Sequence, residues 1–237
     1  MSAEAFFTLH RDLPREGPGT PDDVVWALGY AFGRDAILDA GCGPGADAVT
    51  LAQVLPEADI TAIDMQDHFV AEAALRLAPF GTRARALKCD MLTPAGRYDF
   101  IWSAGAVYLE GIENVLPAWA DVLRPNGRAA FSEAVFLTNP PSEAARRFWA
   151  NEGVISTESM LKSRVEGAGW RLVASKLVQG ISWAAYYGPL AARIAKLRGE
   201  DPSPELAEIL DEGEQEVINW RAAPQDIAYL LMVVEPQ

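Results

Sequence analysis

Along this chain, short continuous apolar runs alternate with stretches whose apolar residues recur at helical spacing, and the two patterns predict different elements. The runs predict strands near Ala36–Asp39, Asp59–Ile63, Arg83–Leu87, Phe100–Trp102 and Arg128–Val135; the periodic intervals predict helices near 45–55, 67–79 and 112–123. Such alternation predicts a parallel sheet covered on both faces, because each crossover helix must bury its apolar stripe against the sheet. An earlier helix opens at Thr20, where a capping hydroxyl is followed by Pro21 and by Asp22 and Asp23 at the positive end of the dipole, and it runs to about Phe32. Before it, Phe6 and Phe7 lie in a short helix that continues to Gly19 as an irregular arm. The stretch Leu123-Arg124-Pro125-Asn126-Gly127 ends a helix and turns into the next strand, since proline stops a helix and Asn-Gly favours a tight reversal.

Downstream, Ser142–Asn151 and Thr157–Ala168 read as helices, and Trp170–Val178 and Gln225–Val234 as strands. The stretch 179–224 between those strands reads as a helical insertion. In it Leu206, Ile209, Leu210, Gly213, Val217 and Trp220 share one face, and the acids from Glu200 to Glu216 form a solvated one. The expected organisation is one domain over 1–237, with an N-terminal arm or lid (1–20) and the 179–224 insertion as elaborations on the substrate side.

At 237 residues, half of them apolar, the chain can bury one substantial core. No apolar run reaches about 18 residues, and the first residues lack a basic start followed by an apolar stretch, so neither a membrane span nor a signal peptide is expected and a cytoplasmic location is. A net charge of −13 opposes binding to phosphate backbones and argues against a nucleic-acid partner. The two cysteines, Cys42 and Cys89, fall at strand ends without zinc-site spacing and read as reduced packing residues beside a pocket.

Candidate chemistry begins at residues 37–47, ILDAGCGPGAD, where a buried strand breaks into a glycine turn and opens a helix. That is how an α/β sheet seats a nucleotide-like cofactor: Gly41, Gly43 and Gly45 let the backbone approach a ligand and adopt the dihedrals of the turn. Asp39 repels a pyrophosphate but can hold the ammonium end of an amino-acid-like ligand. Gly41, Gly43 and Ala46 also satisfy the dinucleotide pattern G-x-G-x-x-A, so a nicotinamide-dependent oxidoreductase is the competing reading. About 20 residues on, Asp64 ends an apolar run where an acid accepts ribose hydroxyls in either class.

The Asp-x-Gly-x-Gly-x-Gly pattern, followed in order by Asp64, by Cys89-Asp90-Met91 and by Tyr98-Asp99-Phe100-Ile101-Trp102-Ser103, resembles the motifs of the S-adenosylmethionine (SAM)-dependent methyltransferases with a Rossmann-like fold. The resemblance covers about residues 35–136, and the segments at 6–19 and 183–189 are similar to a group of bacterial methyltransferases. It implies a seven-stranded, mostly parallel sheet with helices on both faces and a last strand that runs antiparallel; the family usually joins the final two strands by a short connection, and the helical insertion at 179–224 departs from that. It also implies SAM as cofactor and S-adenosylhomocysteine as product. Asp39, Gly41, Cys42, Gly43, Gly45, Asp64 and Met65 would then line the cofactor, Asp90 would hydrogen-bond the adenine amino group beside Met91, and Ser103–Ala106 would leave room for the methionine part. For Asp90 the plain alternative is a turn cap before Pro94, and for Trp102 core packing.

Methyl transfer from a sulfonium is an in-line displacement that needs alignment and exclusion of water rather than a protein nucleophile, with a general base where the acceptor must lose a proton. Glu133, an acid amid apolar neighbours, and Tyr108, shortly after the fourth strand, are the candidates for the chemistry; Tyr108 reads equally well as a packing residue. His10 and Arg15, with Arg11, suit a carboxylate on substrate or cofactor, or are merely exposed on the arm, and His68 reads as a surface residue. Trp183, Tyr186 and Tyr187 share a helical face, which periodicity favours as packing and which would otherwise form part of an aromatic box for a cationic acceptor. Asn139-Pro140-Pro141-Ser142 resembles the loop of enzymes that methylate amino groups of DNA or protein glutamine, but it follows the fifth strand and ends in serine, so it reads as a loop with Ser142 capping a helix. The paired acids and asparagine of metal-assisted enzymes are not evident, so no metal is expected. The functional expectation is methyl transfer to a small-molecule acceptor, a non-catalytic SAM-binding protein being a further alternative; the oligomeric state is left open.

Overall fold

Ile37, Leu38, Ile60, Phe100, Ile101 and Phe131 are inaccessible or nearly so on the two faces of one sheet, which is why their strands read as unbroken apolar runs. The computed structural model describes residues 3–150 and 154–237. In chain order its helices are α1 (Ala3–His10), α2 (Pro21–Leu28), α3 (Ala46–Val54), α4 (Asp67–Leu77), α5 (Ile112–Ala120), α6 (Glu143–Phe148), α7 (Glu158–Gly167), α8 (Ile181–Arg198) and α9 (Pro204–Ala222). The strands are β1 (Ala36–Ala40), β2 (Asp59–Asp64), β3 (Ala84–Lys88), β4 (Tyr98–Ala104), β5 (Leu123–Phe136), β6 (Ser156–Thr157), β7 (Trp170–Val178) and β8 (Ile227–Pro236).

The sheet runs β3-β2-β1-β4-β5-β8-β7, with the two-residue β6 beside the far end of β5. Strands β1 to β5 are parallel, and β8, last in sequence, is inserted antiparallel between β5 and β7. Leu38, Ile101, Trp119 and Phe131 belong to the core on one face, and Ile37, Leu51, Ile60 and Phe100 to the core on the other. A third core joins α1 to α8 and α9 through Leu9, Trp183, Leu190, Ile194 and Leu210. There Gly213 lets α9 approach closely, since a Cβ at this position would lie 3.2 Å from Ile194 and 3.3 Å from Leu9.

Several expectations shift for local reasons. Gly29 ends α2 at Leu28, short of Phe32. Beyond Leu77 the chain tightens into a 3-10 turn over Ala78–Arg83, where Pro79 supplies no amide. The turn expected before β5 is absorbed into it: Leu123 pairs with Tyr98 and Arg128 with Phe100, so 124–127 bulges out, with Asn126 at φ 66°. Helix α6 is capped by Ser142, whose Oγ accepts the Ala145 amide at 3.1 Å, and stops at Phe148; the expected end at Asn151 lies outside the described residues.

After α1 the N-terminal arm is irregular, as expected, but it is packed against the body rather than exposed. Leu9 and Leu13 are buried, and Arg76 of α4 donates to the carbonyls of Leu13 and Pro14 at 2.7 Å each. His68 is half-buried rather than a plain surface residue: its ring centre lies 3.6 Å from that of Phe7. Both corrections come from contacts between α1 and elements far along the chain, which local periodicity does not encode. Among the described residues, no helix is long and apolar enough to cross a membrane.

Candidate active site

Parallel strands leave their carboxyl ends facing the same way, so the loops that follow β1 to β5 converge on one rim of the sheet. A cavity of about 710 Å³ lies there, roofed by α1 with the segment after it and by α8 and α9.

The β1–α3 turn forms its floor. Gly41 has φ 71° and a Cβ there would sit 2.5 Å from that of Ala106, so β1 and the β4 loop approach as closely as backbone allows. The amides of Gly41 and Cys42 both donate to the Ile63 carbonyl at 2.9 Å. Asp64 then holds the turn, accepting the Gly43 amide on Oδ2 and the Gln66 amide on Oδ1, each at 2.9 Å. These bonds leave lone pairs on both carboxylate oxygens.

Asp39 is 1% exposed, borders the cavity and has no hydrogen-bond partner on Oδ2. Burial, with the nearby charges of Asp47 and Asp64, holds its carboxyl well above the usual carboxylate range, against the opposing pull of Arg15 and the Ala48 amide. A cationic ligand group beside Oδ2 would restore the charged form. Asp47 went unnoticed in the sequence, where it reads as a helix first-turn acid. It accepts the indole N–H of Trp102 at 3.0 Å and Arg15 Nη2 at 3.3 Å. Trp102 is therefore more than filler.

At the end of β3, Cys89, Asp90 and Met91 line the cavity. Asp90 Oδ1 accepts the Leu92 amide at 2.8 Å, so the turn role is present and coexists with a place on the wall. Met91 is buried, with its carbonyl held by the Trp119 indole at 3.1 Å, whereas Met65 lies half open over the cavity. Cys42 also lines it, and burial pushes its thiol up.

Two residues expected at the cofactor lie off the cavity. Gly45 faces α4, where a Cβ would sit 2.9 Å from that of Ala73, so its lack of a side chain serves helix packing. Ser103 is fully buried within the sheet, and the wall at the end of β4 is made instead by Ala104, Gly105 and Ala106.

Beyond the cofactor-sized floor the cavity reaches the free edge of β5. The last β4 pair is Ala104 with Ser132, and β6 begins pairing only at Val135, so Glu133 and Ala134 lie on an open edge. Glu133 is 7% exposed with no partner on Oε1, and burial pushes its carboxyl up to about 7 despite Arg164, which Glu113 holds through two bonds of 2.6 and 2.7 Å. Tyr108 is exposed on the rim. Trp183 and Tyr187 are buried and border the cavity, so packing and wall are one role; Tyr187 donates to Glu216 at 2.6 Å and Trp183 to the Val178 carbonyl at 2.8 Å.

His10 and Arg15 both reach the cavity, but in internal pairs, His10 with Glu16 and Arg15 with Asp47. Neither is a freely exposed arm residue. Glu16, Trp149, Glu216 and Tyr229 line the cavity as well and carry no local sequence signal. Among the described residues, no group of three or more His, Cys, Asp or Glu is placed to hold a metal ion.

Comparison with known proteins adds to this geometry. Residues 37–127 match the model of a family described as a methyltransferase domain. A trans-aconitate 2-methyltransferase of Streptomyces avermitilis is 37% identical over 100 residues, spanning 40% of this chain and 37% of that protein. The chain spans less than half the length of the curated relatives it matches. Two crystal structures, of methyltransferases from Geobacter sulfurreducens and Thiobacillus denitrificans in complex with S-adenosylhomocysteine, share the fold. Their TM-scores are 0.83 and 0.84 at 19% and 18% identity, and each comparison covers 100% of this chain and 99% of the other.

Proposed function

We propose that the chain is a SAM-dependent methyltransferase of Rossmann-like fold, which binds SAM at the carboxyl ends of β1 to β4 and transfers the methyl group to a small molecule. One observation carries the reading: Asp39, Asp64 and Asp90 reach a single cavity from the ends of three neighbouring strands, around the glycine turn.

The residues present suit that cofactor. The unpartnered Oδ2 of Asp39 is a buried acceptor for an ammonium group, the remaining lone pairs of Asp64 suit ribose hydroxyls, and Asp90 with Met91 suits an adenine edge and face. Gly41, Cys42, Gly43 and Met65 complete that wall. When bound, SAM supplies a methyl carbon on a sulfonium, open to displacement in line with the C–S bond. The protein's own tasks are to orient the acceptor and exclude water, for which Trp183, Tyr187 and the packed α1 segment form a lid. Glu133 takes a proton from the acceptor, its carboxyl being tuned near neutrality as a base requires, and Tyr108 offers a hydroxyl at the rim. His10 and Arg15 shape the inner wall through their pairs.

The acidic chain, at −13, does not suit a nucleic-acid acceptor. A polycarboxylate such as the trans-aconitate in the Streptomyces relative's name meets no uncompensated cation on the acceptor side among the described residues, since Arg164 is held by Glu113 and His10 by Glu16. The test is isothermal titration with S-adenosylhomocysteine, SAM and NADH in parallel. Micromolar binding of the first two without NADH is expected. Binding of NADH alone would overturn the reading and make the glycine turn a dinucleotide site.

A further inference from the structure

The acceptor end of the cavity is aromatic and acidic. Trp183 and Tyr187 stack with ring centres 6.0 Å apart, Trp183 meets Tyr229 edge-on at 5.2 Å, and Tyr186 meets Tyr187 at 4.9 Å. Tyr187 donates to Glu216 at 2.6 Å, and burial with the charge of Glu216 raises the hydroxyls of both Tyr186 and Tyr187. Eight carboxyl side chains line the whole cavity against two guanidiniums and one imidazole. Each of those basic side chains is already paired: Arg15 with Asp47, Arg164 with Glu113 and His10 with Glu16.

Four lining groups among the described residues carry a buried polar atom without a partner: Asp39 Oδ2 on the cofactor side, and Glu16 Oε1, Glu133 Oε1 and the Trp149 indole nitrogen. Glu133 lacks a donor on Oε1, and Trp149, also nine-tenths buried, has an indole N–H with no acceptor. Tyr229 stands opposite Ala134, one residue along β5 from Glu133, so the aromatic walls border the open edge that presents the unpartnered carboxyl. A buried acceptor and a buried donor are costly unless a ligand completes them. Aromatic faces, phenol oxygens and surplus carboxylates together recognise one chemistry, a positively charged nitrogen.

We infer that the methyl acceptor is an amine, protonated when it enters, held against Trp183, Tyr186, Tyr187 and Tyr229 under the carboxylates of Glu216 and Glu16, with an oxygen substituent accepting from Trp149. The inference rests on the methyltransferase reading and adds the acceptor class. The bound ammonium gives one proton to Glu133. The freed nitrogen lone pair forms the N–C bond as the sulfonium C–S bond breaks, and the electron pair of that bond stays on sulfur. The products are an N-methylated ammonium and a neutral thioether.

Three probes of one shape and different charge test this on protein saturated with S-adenosylhomocysteine: phenethylamine, phenethyl alcohol and phenylacetate. The amine is expected to bind about tenfold more tightly than the alcohol, with the acid weakest. Glu216→Gln, on the exposed side of α9, and Tyr187→Phe, which keeps the ring, should each cut the preference for amine over alcohol by about threefold or more. Failure of S-adenosylhomocysteine to bind would sink the methyltransferase reading itself. Normal binding of it, with an amine that binds no better than the alcohol or not at all, would overturn the acceptor class alone. An amine preference left intact in both folded variants would also overturn it, because the cation would then sit elsewhere.

Discussion

Arg15 lies across the mouth of the glycine turn with its Nη2 3.3 Å from both carboxylate oxygens of Asp47. The two side chains are nearly buried, so the pair is little screened, and it also moderates the negative charge around Asp39. Arg15→Ala should lower stability by about 2 kcal/mol, because Asp47 keeps its Trp102 bond but loses its cation. A urea melt measures this. An unchanged midpoint would show the pair to be incidental.

The glycines of the turn should separate by experiment. Gly45→Ala drives a Cβ to 2.9 Å from Ala73 at φ 89°, so it should cost about 2–3 kcal/mol of stability and leave cofactor affinity per folded molecule nearly unchanged. Gly43 has φ 52°, and its nearest neighbour to an added Cβ is Glu16 at 3.7 Å. Gly43→Ala should therefore cost only about 1 kcal/mol in the fold but weaken S-adenosylhomocysteine binding about tenfold, by placing a methyl on the cavity floor. Paired denaturation and titration of the two variants check the contrast, and identical behaviour would refute it.

That contrast shows where sequence reasoning reaches and where it stops. The strand, the turn and the acids at 39, 64 and 90 are legible because each depends on local order along the chain: apolar run, glycine break, acid after the next strand. Which way Gly45 faces depends on α4, and Ser103 is lost to the sheet interior by strand alternation. Asp47 is illegible for a stronger reason. Its partners Arg15 and Trp102 lie 32 and 55 positions away, and nothing local distinguishes it from a dipole-stabilising acid.

The same reasoning applies to α1, which is short and whose partners are some of the last helices in the chain. Leu9 is 1% exposed and packs in the core of α8 and α9. Leu9→Ala should cost about 3 kcal/mol through the cavity it leaves, and deleting residues 1–13 should loosen α8 and α9 as well as the lid. Hydrogen exchange would show this as lost protection in α8 and α9, with the β1–β4 core still protected. Protection retained in both helices would return the segment to the status of a detachable arm.

Glu133 supplies the sharpest prediction, because one group sets both an activity and a stability profile. Its folded-state carboxyl titrates near 7, above the ordinary 4.5, because burial outweighs the attraction of Arg164 while Glu113 adds like charge. The folded protein therefore binds the proton more tightly than the unfolded chain, and the associated stability is fully present below about pH 4.5 and lost as pH rises through about 7. That loss is of order 3 kcal/mol, and Glu133→Gln should remove it, making the variant relatively more stable at pH 8 than at pH 5 when each is compared with the parent at the same pH. Activity should move the other way. As a base, Glu133 works only when ionised, so kcat/KM should rise with pH through about 7, and Glu133→Gln should lower it by about a hundredfold and abolish that limb of the profile. A Gln variant that is stabilised at high pH yet keeps full activity and the parent's pH profile would leave Glu133 as a structural burial alone, with the proton going directly to solvent.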